Sequence, residues 1–384
     1  MGAEVAPRRL SGDPHAAGEW CGRFAEAVAR SPADCRLLLL LAGTATAAVP
    51  GISAAGATPD SRKRTAAADA ELLLLGPGRP RPHALPPLPA GVSPALIARV
   101  VVEQLALEPL VIDLGVPVRP AVPHLSLGQV PARCLSSGAA LDPARVGRLL
   151  ALGRRWGERL AERGRPVLLA ECVPGGTSTA QAVLQGLGVP AAGLVSGSLR
   201  QPPHALRAEL VRRGLQAAGL ATPAGAPAVL AAVGDPMQAL AAGLVQAAGA
   251  ADLPLLLAGG SQMAAVLALA LALSAETERA RLLRQAAVVT TAWVAGESGS
   301  DLVALLEAIG RRWGGEPLAF AAGLRFSGCR SPELLAYERG YVKEGVGAGG
   351  LALLWQLSGR SPEALAVACD RACDTLRAHP SGPT

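Results

Sequence analysis

Six short apolar runs recur along the chain, each leading into turn residues that include glycine or proline. They are RLLLLLAG at 36–43, AELLLLGPG at 70–78, LEPLVIDLGVP at 107–117, RPVLLAECVPGG at 165–176, AADLPLLLAGGSQ at 250–262 and AAVVTTAWVAGE at 286–297. The runs are continuous rather than alternating, which is the pattern of strands covered on both faces. Between them, segments such as 142–164, 202–219 and 235–250 carry apolar residues three and four apart with polar residues opposite, and these predict helices. Strand and helix in alternation predict an α/β protein: a parallel sheet with helices on both faces. Ligands in such sheets bind beyond the carboxyl ends of the strands, where this chain gathers its unusual residues. The proline-rich stretch 79–94 reads as a connector within one domain, since strand-like runs flank it. Two longer apolar stretches, 37–57 and 263–275, are either interrupted by Pro50 and Gly51 or short of the roughly 20 residues that span a bilayer. Both read as core, and no transmembrane segment is expected.

Composition narrows the picture. Half of the 384 residues are hydrophobic but only 3% are aromatic, so the core must be built from Leu, Val and Ala. Glycine and proline are frequent but not periodic, which fits a loop-rich globular protein rather than a fibrous or disordered one. The formal net charge is +6. The arginines are scattered and aromatics are too few for base-stacking platforms, so nucleic acid is not an expected partner. Seven cysteines, an odd number with no CxxC pair, suggest reduced thiols in a cytoplasmic setting. Cys369 and Cys373 lie four apart but lack histidine neighbours, so neither a metal site nor a cofactor is expected. The first 20 residues lack the apolar centre of a signal peptide.

The strand ends carry the candidate chemistry. After the fourth run come Gly175, Gly176, Thr177, Ser178 and Thr179, and then a helical pattern. Glycine lets backbone approach a ligand closely, a helix start attracts anions, and the hydroxyls add donors. The stretch reads as a phosphate cradle, although Ser and Thr are also ordinary helix caps. It is neither a Walker loop nor GxGxxG. Ser196, Gly197, Ser198 and Arg200 follow another apolar run, and Gly259, Gly260 and Ser261 follow the fifth. Three such ends in succession suggest a broad polar pocket sized for a nucleotide. Glu297 in GES and Glu344 in KEGVGAGG lie among small residues, where a carboxylate can serve as a general base or simply be a solvated loop residue. Glu171 is placed to orient ribose hydroxyls or to cap the helix that follows.

In order and spacing these segments resemble the nicotinate-nucleotide:dimethylbenzimidazole phosphoribosyltransferase family, most closely its divergent branch in cyanobacteria and archaea. The likeness rests on ECVPGGTSTA (171–180), VSGSLRQPPHALRAELVRRGL (195–215), the stretch 235–270, VPGISAAGATPDSRKRT (49–65, with Ser53) and KEGVGAGGLAL (343–353), and spans about 37–355. It implies a Rossmann-like three-layer sheet over 37–355, a small helical domain from 1–36 and 356–384, and a homodimer. It also implies transfer of phosphoribose from nicotinate mononucleotide to 5,6-dimethylbenzimidazole. A base takes the acceptor's ring N–H proton, a ring nitrogen attacks the anomeric carbon, and nicotinate leaves, with no metal. The product, α-ribazole 5′-phosphate, leads to the lower ligand of cobalamin.

The family's Ser-Ala-Glu-Pro-Gly-His segment is matched best by VAGESGSD, which maps the base to Glu297, with Glu344 as the fallback. Here Ser298 and Ser300 replace the Pro and His, Gly176 replaces an Asn, and the Asp-His-Gly turn after the first strand is missing. These departures cluster around the acceptor and the base. A phosphoribosyl donor is therefore better supported than dimethylbenzimidazole, and adenine or another azole is an alternative acceptor. A non-catalytic nucleotide-binding protein of cobamide metabolism, and a hydrolase of nicotinate mononucleotide, are the competing readings.

Overall fold

The computed structural model describes residues 7–31 and 34–379; the remainder of the two chain ends expected to be helical, 1–6, 32–33 and 380–384, lies outside them. Strands β1 (Arg8–Ser11), β2 (Arg36–Leu41), β3 (Leu110–Asp113), β4 (Leu125–Ser126), β5 (Val167–Cys172), β6 (Leu255–Ala258), β7 (Ala286–Thr290) and β8 (Leu318–Ala321) form one sheet. Their order is β1-β8-β7-β6-β5-β2-β3-β4. All neighbours are parallel except β1, which runs antiparallel to β8. The chain moves outward from β2 through β3 to β4, returns to β5 on the other side of β2, and moves outward again. The order therefore reverses between β2 and β5.

Alternation within the strands separates two apolar layers. Leu38, Leu40, Leu169, Leu257 and Val288 face helices Pro143–Arg163, Gly176–Gly186, Pro236–Ala250 and Ser261–Leu273. Leu39, Leu41, Leu168, Leu256 and Val289 face helices Pro14–Arg30, Thr65–Leu75, Ala95–Gln104, Ala348–Leu357 and Pro362–Ala378. This is the expected three-layer α/β architecture, with an antiparallel edge added.

Three expectations are corrected. Of residues 70–78, read as a strand, 70–75 belong to helix Thr65–Leu75 and 76–78 to its C-terminal cap and turn. Residues 65–73 of that helix are all buried, so it has no polar stripe to reveal its period. The apolar run before Ser196 is no strand either, but a turn region after helix Gly176–Gly186. Arg8–Ser11, expected in a separate helical unit, is instead the edge strand of the main sheet. The helix that follows stacks Trp20 on Phe320 of β8 with ring centroids 5.3 Å apart. No helix among the described residues is long and apolar enough to cross a membrane.

Candidate active site

A cavity of about 330 Å³ lies beyond the carboxyl ends of β5 and β6, next to the reversal in strand order, where sheets of this kind bind ligands. Its floor on one side is built from two helix starts. β5 ends in a turn at Gly175, whose φ of +82° suits glycine and whose Cβ would lie 3.0 Å from the Ala47 nitrogen. Thr177 then lines the cavity from the first turn of one helix, and Ser261 and Gln262 from the first turn of another. Two helix N-termini facing one space favour an anion there.

Ser196, Gly197 and Ser198 form the adjoining wall. The Ser196 N–H donates to Ser261 Oγ at 3.0 Å, and the Ala54 N–H donates to Ser198 Oγ at 2.9 Å. Ser53 Oγ and Ser198 Oγ are 3.2 Å apart. Arg207 is buried behind this turn, donating to the Val195 carbonyl at 2.8 Å. Burial pulls its guanidinium down to about 10.

Three carboxylates line the same cavity: Glu171, Glu344 and, on the opposite wall, Asp69. Glu171 Oε1 accepts from Gln262 Nε2 at 2.9 Å and Oε2 from the Val173 N–H at 3.0 Å. Burial, then the charges of Glu344 and Asp235, push its pKa up to about 8. Glu344 accepts four hydrogen bonds: from Thr290 Oγ1 at 2.9 Å, Thr291 N at 3.0 Å, Gly349 N at 3.0 Å and Gly345 N at 3.2 Å. Burial raises its pKa, while those donors act the other way. The segment that presents it is bent into the left-handed region at Val342 (φ 64°), Lys343 (φ 31°) and Val346 (φ 52°). Non-glycine residues hold such angles only where the surroundings impose them.

Here the surroundings include Glu297. Lys343 Nζ lies 2.5 Å from Glu297 Oε1 and donates to the Leu199 carbonyl at 2.9 Å. Glu297 also accepts from Ser300 Oγ at 2.9 Å and from Ser196 Oγ. It does not line the cavity. Its carboxylate is occupied by an ion pair, and the pair ties the Glu344 segment to the Ser196 turn.

The opposite wall is apolar: Leu85, Pro86, Pro87, Leu88 and Val92 from the proline-rich connector, with Val342 and Val346. Buried Glu71 anchors this connector, accepting from the His83 backbone N–H at 2.8 Å and from the Ala121 N–H at 2.9 Å, with His83 Nδ1 2.6 Å away. Within the wall sits Asp69, whose Oδ1 accepts from Ser93 Oγ at 2.6 Å and whose Oδ2 accepts from Cys172 Sγ at 3.4 Å.

The cavity thus brings together Ser53, Glu171, Gly175, Thr177, Ser196, Gly197, Ser198, Gly260 and Glu344. Gly176, Ser178, Thr179, Gly259 and Glu297 are not on its surface. Thr179 turns away and donates to Asp235 Oδ2 at 2.6 Å, and Ser178 is buried in its helix. Gly176 serves one step back, since a Cβ there would sit 2.0 Å from Gln262 Oε1. Sequence reasoning passed over Gln262, Lys343 and Asp69. The first two adjoin residues it did select, and the third immediately precedes the run misread as a strand, in the same helix.

Fold and site together define an α/β enzyme with a switch-point cavity suited to a phosphate-bearing substrate. The chain belongs to the phosphoribosyltransferase family DBI_PRT, whose model matches residues 95–323, and it is a phosphoribosyltransferase. It is 55% identical to a UPF0284 protein of Parasynechococcus marenigrum (strain WH8102), over 89% of this chain and 87% of that one. A UPF0284 protein of Gloeobacter violaceus is 49% identical over 86% and 85%. Among solved structures, the nicotinate-nucleotide-dimethylbenzimidazole phosphoribosyltransferase of Thermus thermophilus matches with a TM-score of 0.54, covering 94% of this chain and 96% of that one. At 19% identity that likeness is one of fold.

Proposed function

We propose that this protein transfers phosphoribose from nicotinate mononucleotide to the ring nitrogen of an azole base, releasing nicotinate. The product is an α-ribazole 5′-phosphate-type nucleotide for the lower ligand of a cobamide. The observation that carries this reading is the division of one cavity. Helix starts and hydroxyls line one side, an apolar slot lines the other, and Glu171 and Glu344 both reach the space they share.

In this reading the phosphate rests against Thr177, Ser261 and the Ser196–Ser198 turn. The flat base enters the slot between Leu85–Val92 and Val346. Glu344, which four donors favour in its ionised form, takes the acceptor's N–H proton. A ring nitrogen forms the new bond to the anomeric carbon as the bond to nicotinate breaks. The electron pair of that broken bond neutralises the pyridinium nitrogen. Glu171 faces the positive charge that passes from the pyridinium to the ribose, a charge that draws this carboxyl toward ionisation and that it then stabilises. Holding both reactants in line supplies much of the rate. Glu297 is a positioning residue in this scheme, acting through Lys343 on the Glu344 segment.

The test is to mix purified protein with nicotinate mononucleotide and dimethylbenzimidazole, adenine or no base, following nicotinate and new nucleotide by chromatography. Base-dependent release supports transfer. Binding of the nucleotide without release in any mixture would overturn it in favour of a non-catalytic binder, and release without a base would indicate a hydrolase.

A further inference from the structure

Of the three carboxyl groups in the cavity wall, Asp69 has no part in the transfer steps above. Asp69 is 4% exposed and lines the cavity from helix Thr65–Leu75. It lies on the face of the sheet that carries the apolar slot, since its partner Cys172 belongs to the apolar layer on that face. Ser93 and Cys172 each donate one hydrogen bond to it, one per oxygen. A carboxylate oxygen can accept two, so each retains a free acceptor position. Burial pushes its pKa up to about 6, against which Ser93 and Cys172 act, so the group is mostly ionised at neutral pH. No Lys or Arg is hydrogen-bonded or ion-paired to it among the described residues.

A slot that served only methyl groups would be more stable with an apolar residue at this position, because a buried carboxylate facing hydrocarbon has no compensation for lost water. The remaining need of Asp69 is for a donor, and the ligand is the source that the cavity allows. Thr65, the other hydroxyl nearby, already donates to the Ala55 carbonyl.

Resting on the transfer reading above, we infer that Asp69 selects the acceptor: the base is a fused azole carrying a hydrogen-bond donor substituent, an amino or hydroxyl group, rather than one carrying only methyl groups. The substituent donates to a free position of the Asp69 carboxylate. Leu85, Pro87, Leu88 and Val92 cover the ring, and the azole edge points to Glu344.

The experiment compares acceptors that differ by that one group: adenine against purine, and 5-hydroxybenzimidazole against benzimidazole, with dimethylbenzimidazole as the methyl-only case. All are run with saturating nicotinate mononucleotide. The donor-bearing member of at least one pair should show kcat/KM about 10- to 100-fold above its partner, the effect of a hydrogen bond to a charged, buried group. Which pair responds tells amino from hydroxyl. Asp69→Asn should shrink that ratio to within a few-fold while leaving the Kd of nicotinate mononucleotide unchanged. Because the wild-type comparison needs no variant, a folding defect in Asp69→Asn does not remove the test. Equal use of both members of each pair, or a preference for dimethylbenzimidazole, overturns the inference and leaves transfer itself intact. A variant that slows every acceptor alike also overturns it, and makes Asp69 a support for Ser93. No release of nicotinate with any acceptor overturns the transfer reading and this inference with it.

Discussion

Lys343 Nζ stands 2.5 Å from Glu297 Oε1, and both side chains are almost wholly buried. The glutamate that the sequence offers first as a base is therefore bound to the residue preceding Glu344, which lines the cavity. Removing one member of such a pair strands a buried charge, at a cost of about 3–5 kcal/mol, whereas removing both is far milder. Lys343→Met should be strongly destabilised in urea unfolding, and Lys343→Met/Glu297→Gln should recover most of the loss. Glu297→Gln alone should keep measurable turnover, reduced about 10- to 100-fold, while Glu344→Gln loses about 1,000-fold or more. Equal losses in the two glutamine variants would return Glu297 to the role of base.

The raised pKa of Glu171 has a signature in binding. In the free protein at pH 7 it is mostly protonated, since its pKa is about 8. A pyridinium ribose beside it favours the ionised form. Nicotinate mononucleotide should therefore release a proton on binding near pH 7, measurable by calorimetry in buffers of different ionisation enthalpy. Glu171→Gln should lose that component and keep the rest.

The same shift couples to stability. The folded pKa of Glu171 exceeds the unfolded one, so its contribution is fully present below about pH 4.5 and is lost as pH rises through 8. Glu171→Gln removes that loss, and Gln262 can turn its amide to meet the new side chain. The variant should gain on the order of 3–5 kcal/mol over the wild type at pH 8.5 and little at pH 4.5, by linkage. Denaturant midpoints at the two pH values check this. A gain that does not depend on pH would point to some other cause.

Gly176 guards Gln262. With alanine there, the new methyl falls 2.0 Å from Gln262 Oε1, and the amide must swing away from Glu171. Gly176→Ala should lower kcat about tenfold or more. Gly147→Ala is the control, since nothing approaches a Cβ there and the site is in an exposed helix position. It should be neutral or stabilising by up to about 1 kcal/mol.

Glu71 holds the connector from behind. Glu71→Ala would orphan the backbone N–H groups of His83 and Ala121, costing about 3 kcal/mol. The expected kinetic result is a several-fold higher KM for the acceptor base with an unchanged Kd for nicotinate mononucleotide.

Much of this was open to reading from the chain. β2, β3, β5, β6 and β7 are covered on both faces, so their continuous leucines and valines announce them. Gly175, Thr177 and Gly260 follow from the rule that ligands gather at strand ends, whereas Ser196 lines the cavity from a turn with no strand before it. Other parts had no local signal. Helix Thr65–Leu75 is buried nearly all round and therefore lacks the polar stripe that tells a helix from a strand. With it went Asp69. β1 (RRLS) and β4 (LS) lie at the sheet's two edges and carry no continuous apolar run to announce them. The pairing of Lys343 with Glu297 joins positions 46 apart in sequence, and only the folded chain shows which of two glutamates is free to act.

The cavity's two walls lie on opposite faces of one sheet, and this sets how such an enzyme can diversify. Leu85–Val92 and Asp69 belong to the layer with helices Thr65–Leu75 and Ala95–Gln104, while Thr177 and Ser261 belong to the layer across the strands. Mutations that reshape the slot need not disturb the helix starts that grip phosphate. A lineage could exchange one aromatic base for another by drift in a single layer, keeping its sugar-phosphate chemistry throughout.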